Sequence, residues 1–315
     1  MDFEIHPVSI DQIVTTDDVF KITTKSDITD LALSISAIGL LQPPVLKDNG
    51  STYTVVCGFR RVEACRKLAH TTIPARIFGP DCPSIDCVRL AIAENASQRQ
   101  LDVVEQSRAY ALIAKFVDHP PSRMELANVV GLPASQSAME RILPVADMPI
   151  ALNRALLSGK VALPVALQIH QLSSTDAMAL TEFFNRITAG LNVQRELLDL
   201  IVDISRRDGC AIADLIQRDD VTRVLSDPET PAPQKVQALR KMIKAIRFPA
   251  LSQAEANFHQ MVQSVKLDPH IQIQPPRFFE GKNYRVSMTL SSRRQLKRLQ
   301  LELDKLADHP HLLPE

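Results

Sequence analysis

The sequence predicts an α+β protein with a small mixed α/β domain at the N-terminus, an all-helical middle and a small α/β module at the C-terminus. Three observations carry this. Short β-rich runs alternate with amphipathic segments over the first ~95 residues. Strand signals then vanish as far as Leu225. They return at His270–Gln274 and Tyr284–Leu290, beyond a Pro-rich polar stretch. The boundaries that follow are a first domain at 1–98, a helical domain at 99–225, a linker at 226–233 (SDPETPAP) and a basic module at 234–315.

Each element has its own signal. After an extended opening, Ser26 or Asp27 can cap a helix whose Ile28, Leu31, Ile35 and Ile38 share a face, with Gly39 at its end. Pro43 and Pro44 bar its continuation. A hairpin follows: Pro44–Lys47, the turn Asp48-Asn49-Gly50, and Thr52–Cys57. Gly58 breaks that strand, Phe59–Ala69 reads as a helix, and Pro74–Phe78 as a further strand. Ile85–Glu94 and Val103–Val117 are helical patterns. Ser122–Leu132 and Ala134–Leu143 have helix-turn-helix character, because Ala127 lets two helices cross closely and Gly131 permits the tight turn. Helices continue to Leu225. Past the linker come a basic helix at Gln234–Arg247, a second at Ser252–Lys266, the two short strands, and a last helix at Ser291–Leu306 with a leucine seam.

Composition narrows the function classes. The 315 residues hold 36 Lys+Arg against 36 Asp+Glu, and the hydrophobic share of 45% is too high for a disordered chain. No run approaches the roughly 18 apolar residues of a membrane helix, and the acidic N-terminus lacks the pattern of a secretory signal. Five cysteines without a CxxC pair indicate neither a disulfide framework nor a zinc site, so a cytoplasmic home is expected. The zero net charge hides a division. Residues 1–232 carry 22 basic and 29 acidic side chains, whereas 233–307 carry 14 basic and 5 acidic. The second segment is where a DNA-holding surface is expected, since such a face needs Lys and Arg to displace phosphate counterions.

Two clusters suggest chemistry. Cys57-Gly58-Phe59-Arg60-Arg61 lies where a strand feeds a helix: Gly58 admits close backbone approach, and a helix start favours an anion. Arg60 and Arg61 there oppose the helix dipole, a conflict that a bound anion removes and that two solvated arginines would merely tolerate. Glu94-Asn95-Ala96-Ser97-Gln98-Arg99 places a carboxylate, a carboxamide and an arginine in one turn, a set that can serve a metal-bound phosphate or be an ordinary polar interhelical turn.

These clusters, with Gly39-Leu40-Leu41-Gln42-Pro43-Pro44-Val45, Ile73-Pro74 and Glu105, resemble in order and spacing the N-terminal domain of ParB-type partition proteins. The resemblance implies a domain that binds CTP with Mg²⁺ and closes a homodimer into a sliding clamp on DNA that later hydrolyses CTP. It implies Gln42, Gly58, Arg60, Arg61, Asn95 and Arg99 around the triphosphate and Glu94 near the metal. A ParA-type ATPase is the implied partner, and the nucleoid or a plasmid the implied location. Two departures stand out: Phe59 replaces the family's usual Glu, and Glu63 its third Arg. They leave room for a transcriptional regulator without nucleotide turnover, or for a kinase or nuclease on the shared ParB/sulfiredoxin superfold. Phe59-Arg60-Arg61 offers no thiol nucleophile where sulfiredoxins carry one. For DNA, Arg123, Ser135, Gln136 and Ser137 in the helix-turn-helix and Arg240, Lys241, Lys244 and Arg247 in the basic helix are the candidate contacts. The basic module is also the candidate dimerisation element.

Overall fold

The computed structural model describes residues 5–16, 18–281, 283–290 and 292. The chain divides into two compact units, one through Gly159 with Ala166–Gln171, the other Lys160–Val165 with the chain from Leu172 onward.

The first unit is built on a five-stranded mixed sheet of order β1-β5-β3-β4-β2. Its strands are β1 (Ile5–Ser9), β2 (Ile13–Val14), β3 (Val45–Asp48), β4 (Tyr53–Cys57) and β5 (Thr72–Phe78). The expected hairpin is the antiparallel β3–β4 pair, with Asp48 opposite Tyr53. β5 joins the other side of β3 in parallel and pairs antiparallel with β1. Thr54, Val55, Val56 and Cys57 are all buried. Successive residues of a strand point to opposite faces, so β4 is covered on both. Helices α1 (Thr29–Ile38) and α2 (Phe59–Lys67) pack together, and α3 (Ser84–Gln98) lies on β4. Asp27 caps α1 from just outside, its Oδ1 accepting the Thr29 N–H at 2.9 Å.

The same unit continues through α4 (Val103–Phe116), α5 (Pro120–Val129), α6 (Gln136–Ile142), a 3-10 turn at Leu143–Asp147 and α7 (Ile150–Leu157). The segment expected to be a helix-turn-helix forms the α5–α6 pair. Ala127 is fully buried, Gly131 sits at φ 80°, and Leu132 donates its N–H back to the Ala127 carbonyl at 2.8 Å, closing the end of α5. The buried Tyr110 hydroxyl donates to the Pro133 carbonyl at 2.5 Å and pins that turn to α4. α8 (Leu163–His170) straddles the division between the units.

The second unit holds α9 (Ser174–Asn185), α10 (Leu191–Asp208), α11 (Ile212–Ile216), α12 (Asp219–Ser226), α13 (Ala232–Arg247) and α14 (Pro249–Val265), then an antiparallel pair β6 (Ile271–Gln274) and β7 (Arg285–Met288). Here the structure differs from the expected boundaries. The division falls between Gly159 and Leu172 rather than at 98 and at 226–233. The physical reason is packing. The first domain is tied to α4 by buried hydrogen bonds described below. The Pro-rich 227–231 stretch is only a tight turn, because Val236, Leu239 and Ile243 of α13 bury their stripe on α10 and α12. The basic helix is therefore part of the helical core. The expected last helix, Ser291–Leu306, lies outside the described residues. None of the described helices is long and apolar enough to cross a membrane.

Candidate functional site

Gly58 begins α2 in the left-handed region at φ 91°, ψ 22°. A Cβ there would stand 2.9 Å from the Pro44 Cβ, so both the conformation and the space demand glycine. The turn opens into a cavity of about 240 Å³ lined by all six residues expected around a triphosphate (Gln42, Gly58, Arg60, Arg61, Asn95 and Arg99), together with Glu94.

Within it the side chains take distinct parts. Arg61 donates to the Gln42 carbonyl at 3.0 Å and the Pro43 carbonyl at 3.3 Å, and its other terminal nitrogen pairs closely with Glu94. Arg60 donates through Nη2 to the Asp27 carbonyl at 2.5 Å, while its Nε is buried without an acceptor. Asn95 uses its amide N–H on the Ala91 carbonyl at 2.8 Å. Cys57 is buried behind the turn, and its thiol is pushed far up, by burial first and then by Glu94, which makes it a poor nucleophile.

Two of the expected residues are engaged with neighbouring side chains. Arg99 lines the cavity but spends its guanidinium on Glu105, with Nη1 2.5 Å from Oε2. Glu105 is fully buried and also accepts from the Thr24 and Asp102 backbone N–H groups, each at 3.1 Å. Burial alone would raise its pKa; the Arg99 and backbone hydrogen bonds outweigh that and hold it at about 2. Glu94, the expected metal ligand, is paired with Arg61. No cluster of three His, Cys, Asp or Glu side chains fit to hold a metal occurs among the described residues.

Phe59 is buried, lines the cavity and lies under Lys21, whose Nζ is 5.7 Å from the ring centroid. Glu63 is not among the lining residues. The sequence reading missed the loop 18–28, which supplies Phe20, Ile22, Thr23 and Lys25 to the wall. Half of a signal was present in Asp102-Val103-Val104-Glu105, which forms a capping box. Its partner Thr24 lies 78 residues away from Asp102.

A family model for the ParB N-terminal domain matches residues 2–96. Residues 2–96 are thus similar to a ParB N-terminal domain. Among curated proteins, a probable chromosome 1-partitioning protein ParB from Deinococcus radiodurans is 28% identical over 167 residues, covering 53% of this chain and 55% of that one. A nucleoid occlusion protein from Geobacillus thermodenitrificans is 32% identical over 136 residues, 42% and 46% of the two chains. The chain thus spans about half the length of the curated relatives it matches. Among solved structures, C-terminally truncated ParB from Caulobacter crescentus in complex with CTP-gamma-S aligns at TM-score 0.26 and 22% identity, over 57% of this chain and 98% of that one. The same protein complexed to the centromeric parS site aligns at TM-score 0.33 and 21% identity, over 56% and 89%.

Downstream of these residues, the candidate DNA contacts separate into two kinds. Ser135, Gln136 and Ser137 are exposed at the start of α6, where the Ser135 hydroxyl accepts the Ala138 N–H. Arg123 instead turns back on α4, donating to the Val117 carbonyl at 2.6 Å and the Ala114 carbonyl at 3.3 Å, so it closes a helix end. On α13, Arg240 pairs with Glu196 at 2.6 Å, Arg247 with Asp203 at 3.4 Å and Lys244 with Glu255 at 3.7 Å. Lys241 makes no such pair among the described residues.

Proposed function

We propose that this is a ParB-type DNA-binding protein of plasmid or chromosome partition, in which CTP bound by the N-terminal domain controls a homodimeric clamp on DNA. The observation that carries the reading is the Arg60 Nε, a buried cationic donor with no acceptor, at a glycine turn that opens a helix. Such an arrangement gains most from an anion that accepts from it. The cavity's own chemistry supports a phosphate chain; the choice of cytosine rests on the family resemblance. Mg²⁺ favours sites with one or two protein ligands and several phosphate oxygens. Glu94 and Asn95 at the end of α3 fit that set, and the ion would neutralise the phosphates that face them. The names of the relatives support DNA as the ligand of the helix-turn-helix region, and a ParA-type ATPase as partner follows from the same family reading. The protein would then reside in the cytoplasm on a nucleoid or plasmid.

One observation favours a second reading. Phe59 puts an aromatic ring in the cavity at the position where the family carries a carboxylate, which suits nucleotide binding without turnover and hence a DNA-binding regulator.

Calorimetric titration with CTP, ATP, GTP and UTP in Mg²⁺, with and without duplex DNA, tests both. CTP-selective binding that Arg60→Ala abolishes supports the nucleotide site, and normal CTP affinity in that variant sinks it. Phosphate release stimulated by DNA separates the clamp cycle from the regulator. Phosphate transfer or strand cleavage without such turnover would point to an enzyme on the same superfold.

A further inference from the structure

A larger cleft lies in the same unit, between the 18–28 loop, the start of α2, α4 and α7, with a volume of about 620 Å³. It borders the first cavity through Thr23, Lys25, Phe59 and Arg60 but has a wall of its own on α4 and α7. Three features of that wall converge. Six lysines and arginines line it against three carboxylates. Of these cations Lys115 and Arg154 are exposed and make no ion pair among the described residues. Apolar side chains, including Phe59, Leu112, Ile150 and Leu157, supply a surface for a ring, and Ile150 is 68% exposed.

The third feature is Asn153. It is only 6% exposed, lines the cleft and donates to the Met148 carbonyl at 3.2 Å, yet its Oδ1 is buried with no donor. Asn153 lines this cleft and not the first cavity, so the unpartnered oxygen is a feature of the cleft alone. An unsatisfied buried polar atom is destabilising by about 1–3 kcal/mol, so this oxygen points to a ligand that offers a donor inside the cleft.

We infer that this cleft is a second ligand site, separate from the CTP cavity, and that it takes a nucleoside phosphate: phosphates on Lys115 and Arg154, the ring on the apolar surface, and an N–H or O–H toward Asn153. The volume lies within the range of small-molecule sites. The inference does not depend on CTP occupying the first cavity, since Lys115, Asn153 and Arg154 line only the cleft and Arg61 and Glu94 only the cavity.

The test uses the full chain and the fluorescent nucleotide N-methylanthraniloyl-ADP. Wild type is expected to bind it, and Lys115→Glu/Arg154→Glu to bind it at least about tenfold more weakly. The control Lys67→Glu/Arg195→Glu, an equal charge change at exposed positions elsewhere, is expected to keep wild-type affinity. All four residues of the two double variants are exposed, and a thermal melt confirms folding. The inference is overturned if wild type fails to bind at millimolar probe or if the cleft variant matches the control. CTP titration of the same variants reports separately on the first cavity.

Discussion

At Gly58 two constraints coincide, a positive φ and a proline ring where a side chain would go. Gly58→Ala adds left-handed strain of about 1–2 kcal/mol to an overpacked contact with Pro44. Urea denaturation is expected to show a loss of at least about 2 kcal/mol, with nucleotide binding lost in the same variant. Glu105 makes the opposite kind of contribution, through charge. Its folded pKa, about 2, lies below the ordinary glutamate value of 4.5, so the folded state binds its proton less readily than the unfolded chain. Its stabilisation is therefore complete above about pH 4.5 and is lost as the pH falls towards 2. Glu105→Gln is expected to cost on the order of 3 kcal/mol at pH 7 and to flatten the acid limb of a stability–pH profile.

At the scale of elements, the same residue type serves different ends according to what its helix lies against. Arg123 was expected at DNA because it opens the helix-turn-helix, but it faces the last turn of α4 and satisfies carbonyls that would otherwise be orphaned. Arg123→Ala is expected to lower stability by about 1 kcal/mol while leaving the salt dependence of DNA binding unchanged; a true phosphate contact would reduce that slope by about one. α13 teaches a related lesson. Its heptad-like stripe was legible, and so was its basic face, but sequence could not show that α10 presents Glu196 and Asp203 to that face. Truncation before Ala232 would expose the apolar side of α10, so it is expected to lower the melting temperature of the whole helical unit as well as any DNA affinity. An unchanged melt would mean that α13 is dispensable to the core.

Across the molecule, what could be read in advance divides by the range of the interactions involved. The hairpin, the Gly58 turn and the α5–α6 motif are encoded largely by local residues, and periodicity and turn chemistry placed them within two or three residues. The cavity's seven expected residues line one pocket together, as the family resemblance implied. The unit boundary, the Arg99–Glu105 pair and the contribution of the 18–28 loop depend on contacts between residues far apart in the chain, and no local pattern encodes them. That loop is held at both ends. Thr24 is bound to Glu105 and Asp102 at the start of α4, and three residues later the Asp27 carbonyl holds Arg60. Three backbone steps reach no more than about 11 Å, so the segment has little slack. A ligand that draws Arg60 inward by a few ångströms must pull the tether taut against the first turn of α4, turning an event at one guanidinium into a load on the helix to which Tyr110 pins the α5–α6 turn.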